Sequence, residues 1–343
     1  MLKDENILVT GGAGFIGSAF VRYVLQNERF QGKLVNLDLL TYAGSLDNLQ
    51  EVSKSKQHIF VHGDVQDSAL LEKLWQQFQF QTIVHFAAES HVDRSICDPL
   101  QFLKTNIFGT VQLLELVRKH PQIHFHHVST DEVFGSVDDG GSPFTENSPY
   151  RPNSPYSASK AGSDHFVRAF ANTYGISTTV SYCSNNFGPY QHGEKFIPVV
   201  ISHLQRKLPV PVYGKGDQIR DWLYVEDHVR AIWQILQAKP EGECFAIAGG
   251  NELRNVDLVH KIMEIYAKCA GEDAAGLKKL IAHVPDRPGH DFRYALDARK
   301  ITAALGWRPE KDFRARLEET ILWYLQQKKK APADPAPVCS AEA

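Results

Sequence analysis

Residues 9–18 read VTGGAGFIGS, a glycine-rich turn that follows the apolar run NILVTG (6–11) and opens an amphipathic stretch. The turn parses as G-x-G-x-x-G through Gly12, Gly14 and Gly17, or as G-x-x-G-x-x-G through Gly11, Gly14 and Gly17. Both parses serve one purpose. Glycine lets the turn tighten, lets backbone N–H groups approach a pyrophosphate at a helix N-terminus, and lets that helix pack closely on its strand. A glycine triplet alone is weak evidence, but a strand before it and a helix after it supply the context that dinucleotide binding needs.

Working outward, further apolar runs recur at KLVNLD (33–38), HIFVHGD (58–64), TIVHFAA (82–88) and HFHHVST (124–130), each followed by a helical pattern. That alternation predicts βαβ units and an α/β fold: a Rossmann-type, doubly wound parallel sheet covered on both faces. Helix starts are marked by Asp67 before SALLEKLWQQF and by Ser154 followed by Pro155. Past residue 184 the texture changes to longer loops, SNNFGPYQHGEKF and VYGKGDQIRDW, with later apolar helices in NVDLVHKIMEIYAKC and LEETILWYLQQ. The expected organisation is a dinucleotide-binding domain over 1–183 and a mainly substrate-binding, smaller, mixed lobe over 184–327, some of whose elements can return to the first. A disordered tail over 328–343 is expected from KKKAPADPAPVCSAEA.

Composition narrows the partners. The 343 residues are 43% hydrophobic, ample for a large core, and 37 basic against 40 acidic side chains give a formal charge of −3. No basic footprint for nucleic acid or an anionic membrane results, which leaves a small molecule as the expected partner. The five cysteines (97, 183, 244, 269 and 339) are scattered, and the expectation is unpaired thiols in a reducing cytosol. MLKDENILVT runs directly into a strand pattern and no apolar run approaches a membrane span of ~20 residues, so a cytoplasmic protein is expected.

Chemistry is expected at the carboxyl ends of the strands. Asp38 closes the second apolar run, roughly 20 residues past Gly17, the offset at which a carboxylate grips ribose hydroxyls and repels a 2′-phosphate; NAD is therefore expected over NADP. Asp64 closes the third run similarly and is expected near the adenine. The fifth run delivers Ser129, Thr130, Asp131 and Glu132 to the same edge. Downstream, SPYSASKAGSDHF puts Tyr156 and Lys160 on one helical face, where a lysine ammonium and a nicotinamide cation favour the phenolate, a base for a hydroxyl proton. A second Y-x-x-x-K, Tyr324 and Lys328, sits at a fraying helix end and reads as a solvated pair. His124, His126 and His127 alternate between strand faces without a carboxylate cluster, so they read as packed histidines and no metal is expected.

VTGGAGFIGS, the Ser129–Thr130 strand end and YSASK together resemble the extended short-chain dehydrogenase/reductase family over residues 5 to 327. HFAAESHVDRSI, STDEVFG, NSPYSASKA, SNNFGPYQ, EKFIP, RDWLYVEDH and DRPGHDFRY, in that order, more narrowly resemble its dTDP-sugar 4,6-dehydratase branch. One departure is Phe134, where the family usually has tyrosine. The resemblance implies NAD held by Gly11, Gly14, Phe15, Ile16, Gly17, Asp38, Asp64, Val65, Ala87, Ala88, Ser129, Tyr156 and Lys160. It implies a nucleotide-diphosphate sugar, dTDP-glucose favoured, held by Ser90, Thr130, Asn185, Lys195, Tyr213, Arg220, Asn255, Arg287 and His290, with Tyr213 toward the base.

It also implies the catalytic set Thr130, Asp131, Glu132, Tyr156 and Lys160. Glu132 takes the C5 proton, Asp131 protonates the departing C6 hydroxyl, and Thr130 hydrogen-bonds the C4 oxygen. A homodimer through helices flanking the sheet, the Tyr156 helix among them, and a role in deoxysugar supply such as rhamnose are implied too. Three other readings stay open at this point: a nucleotide-sugar 4-epimerase, which has no need of the Asp131–Glu132 pair; a 4,6-dehydratase of another nucleotide sugar; and a non-catalytic NAD-sensing protein, which typically lacks the tyrosine or the lysine.

Overall fold

The apolar runs of the first half form β1 (Ile7–Thr10), β2 (Leu34–Asp38), β3 (His58–His62), β4 (Thr82–His85) and β5 (His124–Thr130), joined by β6 (Thr178–Cys183). The computed structural model of the chain describes residues 2–138, 140–286, 290–310 and 312–327. β1, β2 and β4 are buried at every position, as expected for parallel strands covered on both faces. α1 (Phe15–Asn27) follows β1, and α2 (Ser68–Phe78) starts on Asp67, whose carboxylate accepts from Leu70 N–H at 2.9 Å.

A helical stretch then leads into β5: α3 (Val92–Cys97), α4 (Pro99–Phe102), a π-helical segment over Leu103–Phe108, and α5 (Gly109–Lys119). α6 (Pro155–Tyr174) opens on a full capping box, in which Ser154 and Ser157 each accept the other's backbone N–H.

The second half contributes β7 (Asn185–Phe187), α7 (Phe196–Arg206), β8 (Val210–Tyr213), β9 (Ile219–Tyr224), α8 (Val225–Ala238), β10 (Cys244–Ile247), β11 (Glu252–Arg254), α9 (Asn255–Ala270), α10 (Ala274–Lys278), β12 (Ile281–Val284), α11 (Arg299–Leu305) and α12 (Phe313–Gln326). The large sheet runs β10-β6-β5-β4-β1-β2-β3, and every pairing in it is parallel. Strand order reverses between β1 and β4, and the crevice at their carboxyl ends is where such sheets bind ligands. β10 joins the edge beside β6, so part of the chain beyond residue 184 returns to the first domain. Its helix α8 packs with α1, burying Trp233 against Phe20 and Phe30. Each such side chain contributes about 1.5–3 kcal/mol by leaving water.

The remaining elements make the smaller lobe. β11-β9-β7 form a mixed three-stranded sheet and β12-β8 a parallel pair, with α7, α9 and α12 packed around Trp222, Met263 and Leu317.

Two expectations need correction. Tyr324 is not solvated: its hydroxyl donates to the Gln191 carbonyl at 2.6 Å, pinning a cleft loop to α12, while Lys328 lies outside the described residues. Cys183, Cys244 and Cys269 are free thiols, but Cys97 is disulfide-bonded, so the reading of unpaired thiols does not hold there. Cys339 and the rest of the expected tail over 328–343 also lie outside the described residues.

Candidate active site

The turn between β1 and α1 is fixed by what a side chain would strike. Gly11 has φ +71°, and a Cβ there would lie 2.5 Å from the Ala87 backbone nitrogen. At Gly17 a Cβ would meet the Gly11 carbonyl oxygen at 2.2 Å, so glycine is what allows α1 to sit on β1. No side chain caps α1, whose first turn lines the cleft, a ready anion site. Asp38 at the end of β2 accepts from Ala13 N–H and Leu40 N–H, both at 2.8 Å, which holds its carboxylate at the cleft wall. Asp64 accepts from the Gln66 backbone at 2.9 Å. These residues fit a dinucleotide: a backbone cradle for the diphosphate, with a fixed carboxylate at the distance of one βαβ unit for a ribose.

The cleft has a volume of about 320 Å³, and every residue expected to hold NAD lines it, as do Thr130, Asp131 and Glu132. A second cleft of about 530 Å³ is lined by Ser90, Asn185, Lys195, Tyr213, Arg220, Asn255 and His290. Arg287 lies outside the described residues. The two clefts share Ser90, Glu132, Asn185, Glu194 and Lys195, so the acidic pair stands where they meet.

β5 ends in that junction. Thr130 caps a short 3-10 turn, Asp131–Phe134, accepting from Glu132 N–H and donating to Asp131 Oδ1 at 3.2 Å. Asp131 is 2% exposed while Glu132 is half-buried, and Asp131 Oδ2 has no hydrogen-bond partner among the described residues. Burial first, and the neighbouring Glu132 charge second, push the Asp131 carboxyl well above its ordinary range. The two adjacent carboxyls are thus unequal: Asp131 is the one that keeps its proton. Arg220 opposes this shift from the second lobe, its guanidinium stacked 4.1 Å from the Tyr294 ring centroid and donating to the carbonyls of Ile219 and Asp291.

Tyr156 and Lys160 arrive from the first turns of α6. Lys160 is buried and donates to the Val128 carbonyl at 2.9 Å; burial lowers its ammonium and Asp164 raises it. The Tyr156 phenol is pushed well above its ordinary value by burial and then by Glu132, with the Thr130 hydrogen bond pulling the other way. Here the structure differs from the sequence expectation. Lys160 directs its ammonium at a carbonyl, and burial favours the phenol in the protein alone, so the phenolate depends on the nicotinamide cation as well.

Further contacts complete the site. Asn106, in the π-helical segment, brackets Glu89 by accepting its N–H at 2.8 Å and donating to its carbonyl at 3.0 Å, and also donates to Ser159 at 2.8 Å. It ties the β4 exit loop to α6; the only signal was a polar residue on an apolar helix face. Glu194 has a buried side chain facing His91 and His192, at 3.6 and 3.7 Å, and lines both clefts. Lys195 donates to the Ser90 carbonyl at 3.0 Å. Asp291 accepts from Asn153 and Tyr294, both at 2.6 Å. The strand histidines are packed groups, His126 reaching Thr179 and Ser181 at 2.8 and 3.1 Å. Among the described residues no group of three potential ligands could hold a metal, and no helix is long and apolar enough to cross a membrane.

Comparison with known proteins gives the following. A family model described as GDP-mannose 4,6 dehydratase matches residues 8–320. The chain is 48% identical over 337 residues to a dTDP-glucose 4,6-dehydratase of Salmonella typhimurium, covering 93% of this chain and 92% of that protein. A crystal structure of a dTDP-glucose 4,6-dehydratase from Streptomyces venezuelae, with NAD bound, superposes with a TM-score of 0.88 at 44% identity, covering 94% of this chain and 98% of the other. A UDP-glucose 4-epimerase from Thermotoga maritima shares the fold at a TM-score of 0.83 but 28% identity, over 94% of this chain and 100% of that one.

Proposed function

The chain belongs to the family described as GDP-mannose 4,6 dehydratase, within the extended short-chain dehydrogenase/reductases, and from that premise we propose that its two joined clefts carry out NAD-dependent dehydration of dTDP-glucose. It is a nucleotide-sugar hydro-lyase whose product is dTDP-4-keto-6-deoxyglucose. The observation that carries this reading is the unequal pair Asp131 and Glu132 at the junction of the clefts, beside Tyr156.

NAD, when bound in the glycine-turn cleft, supplies a cationic ring that accepts hydride from C4 and later returns it to C6. The chain's own residues move the protons. Tyr156, as the phenolate that the positive charge of bound NAD beside it would favour, takes the proton of the C4 hydroxyl, with Thr130 hydrogen-bonded to the same oxygen. The resulting ketone acidifies C5–H. Glu132, half-buried and lining both clefts, takes that proton. Asp131, kept protonated by burial and by its neighbour, gives its proton to the C6 hydroxyl, which leaves as water. As hydride reaches C6, Glu132 gives a proton back to C5, and the proton taken by Tyr156 passes through solvent to restore Asp131, so that one water is lost and the hydrogen taken from C4 ends on C6. Lys160 supports Tyr156 with a positive charge. Asn185, Lys195, Arg220, Asn255, Tyr213 and His290 line the larger cleft as contacts for sugar, diphosphate and base; the planar guanidinium suits a phosphate. Arg287 is assigned to the diphosphate by its motif alone.

Two further assignments accompany this reading. A homodimer is supported by Leu100, Leu103, Phe108 and Phe166, apolar side chains on α4, the π-helical segment and α6 that are 43–63% exposed. Light scattering at a dimer mass supports it and a monomer mass removes it. A cytoplasmic location is supported by the need for NAD and a nucleotide sugar.

Incubation with dTDP-glucose followed by alkali tests the function. The expected product gives the strong near-ultraviolet absorbance of a 4-keto sugar enolate. Recovery of a C4 epimer without that absorbance marks an epimerase, recovery of unchanged substrate marks a non-catalytic protein, and turnover only with another nucleotide-glucose reassigns the base.

A further inference from the structure

Behind the catalytic helix lies a carboxylate that the reaction scheme does not use. Asp164 stands one turn after Lys160 on α6, is 3% exposed, and lines neither cleft. Two hydroxyls donate to Oδ2, Ser129 Oγ at 2.7 Å and Tyr150 OH at 3.1 Å, while Oδ1, which accepts no hydrogen bond among the described residues, lies 3.1 Å from His127 Nε2. His127 Nε2 also stands 3.2 Å from Ser163 Oγ and 3.4 Å from Lys160 Nζ, and Ser163 Oγ donates to the Lys160 carbonyl at 2.8 Å.

The titratable groups around Asp164 are few. His127 from β5 is held neutral by burial; Tyr150 from the preceding loop, Tyr182 from β6 and Cys244 from β10 are pushed up by burial and also stay neutral. His165, the next residue on α6, is exposed. The buried charges left facing one another are the Lys160 ammonium and the Asp164 carboxylate, and Asp164 is the charge that most favours the ammonium. A buried ammonium without a counter-charge tends to lose its proton.

We propose that Asp164 is a positioning residue for the dehydration, a buried counter-charge that keeps Lys160 protonated and fixes the Ser129 hydroxyl, acting on Tyr156 only through them. This rests on the function proposed above. The carboxylate has two oxygens with separate tasks: Oδ1 faces the His127–Lys160 side, and Oδ2 holds the hydroxyl at the end of β5. Burial, opposed by Lys160 and by the two hydroxyl donors, sets the Asp164 carboxyl at about 6. Activity that depends on its charge is present above that pH and lost as pH falls through it.

The test begins with the wild-type enzyme making the 4-keto product; without that, the function fails and this inference with it. Asp164→Asn keeps the shape and removes the charge. The expected kcat loss is about tenfold to a hundredfold, a part of the 10²–10⁴ that acid–base assistance supplies, with KM nearly unchanged and the acid limb near pH 6 abolished. The ¹³Cε resonance of Lys160, assigned with Lys160→Arg, is expected to titrate at lower pH in Asp164→Asn than in wild type. Tyr150→Phe, a milder change, removes one donor from the carboxylate. It should leave kcat at pH 8 intact and move the acid limb up by about half to one pH unit, the equivalent of one hydrogen bond. A wild-type enzyme that makes the product, with an Asp164→Asn protein that matches its pH profile and Lys160 titration, overturns the proposal; so does an unmoved acid limb in Tyr150→Phe should Asp164→Asn not fold.

Discussion

The two clefts are built by opposite means. The cofactor cleft is made of backbone: Gly11 at positive φ against Ala87, Gly17 against the Gly11 carbonyl, and an uncapped helix start. The sugar cleft is made of long side chains, Lys195, Arg220 and Tyr294 among them, held by carbonyls and carboxylates from several segments. Backbone sites tolerate almost no added atoms, whereas side-chain sites are altered one contact at a time. The acidic pair belongs to neither scheme, standing at the seam, where one carboxyl is buried and the other reaches both clefts.

That contrast can be broken at four places. Glu132→Gln, at the seam, should lower kcat by about 10²–10⁴, the range for losing a positioned base. NAD affinity should stay as in wild type, so a fluorescence titration alongside turnover separates the two effects. Gly11→Ala comes next: a positive-φ strain of about 1–3 kcal/mol plus displacement of Ala87 should weaken NAD binding by roughly tenfold to a hundredfold. The same titration reads it, and an unchanged affinity would show that the turn is not the cofactor cradle. Arg220→Ala should raise the KM for dTDP-glucose about tenfold, a charge-assisted hydrogen bond's worth, and leave NAD affinity alone; a loss of NAD binding instead would mean the clefts are not separable. Smallest is Phe134→Tyr. The ring packs among Phe144, Tyr150 and Tyr182 at centroid distances of 5.0–5.5 Å. An added hydroxyl should change stability by about 1–2 kcal/mol at most and kcat less than twofold, checked by thermal unfolding and steady-state rates.

The same contrast explains what could be read before any coordinates. Gly11, Gly17 and Asp38 were legible because a backbone requirement restricts residue type at fixed spacing. The five leading strands were legible because buried parallel strands are apolar throughout. Thr130, Asp131 and Glu132 were located by the end of a strand, though which carboxyl is the more buried was not, since burial is set by how other segments pack over that strand end. The return of Cys244–Ile247 to the main sheet left no mark beyond a short apolar run. Asn106, Asp164 and Glu194 are polar residues on helices and loops, and their meaning comes wholly from partners far along the chain. Tyr324 escapes the pattern for that reason: periodicity places it at a helix end, but the Gln191 carbonyl to which its hydroxyl donates lies 133 residues earlier in the chain.

The central claim is that Glu132 and Asp131 remove water across C5 and C6 while hydrogen from C4 is kept and returned. Turnover of dTDP-glucose in D₂O, with the product read by NMR, tests it most directly. The account predicts one solvent deuteron at C5 and a C6 methyl that carries the original C4 hydrogen, and Glu132→Gln should accumulate neither. A product that keeps its C6 hydroxyl and its C5 proton, with only C4 inverted, would contradict it.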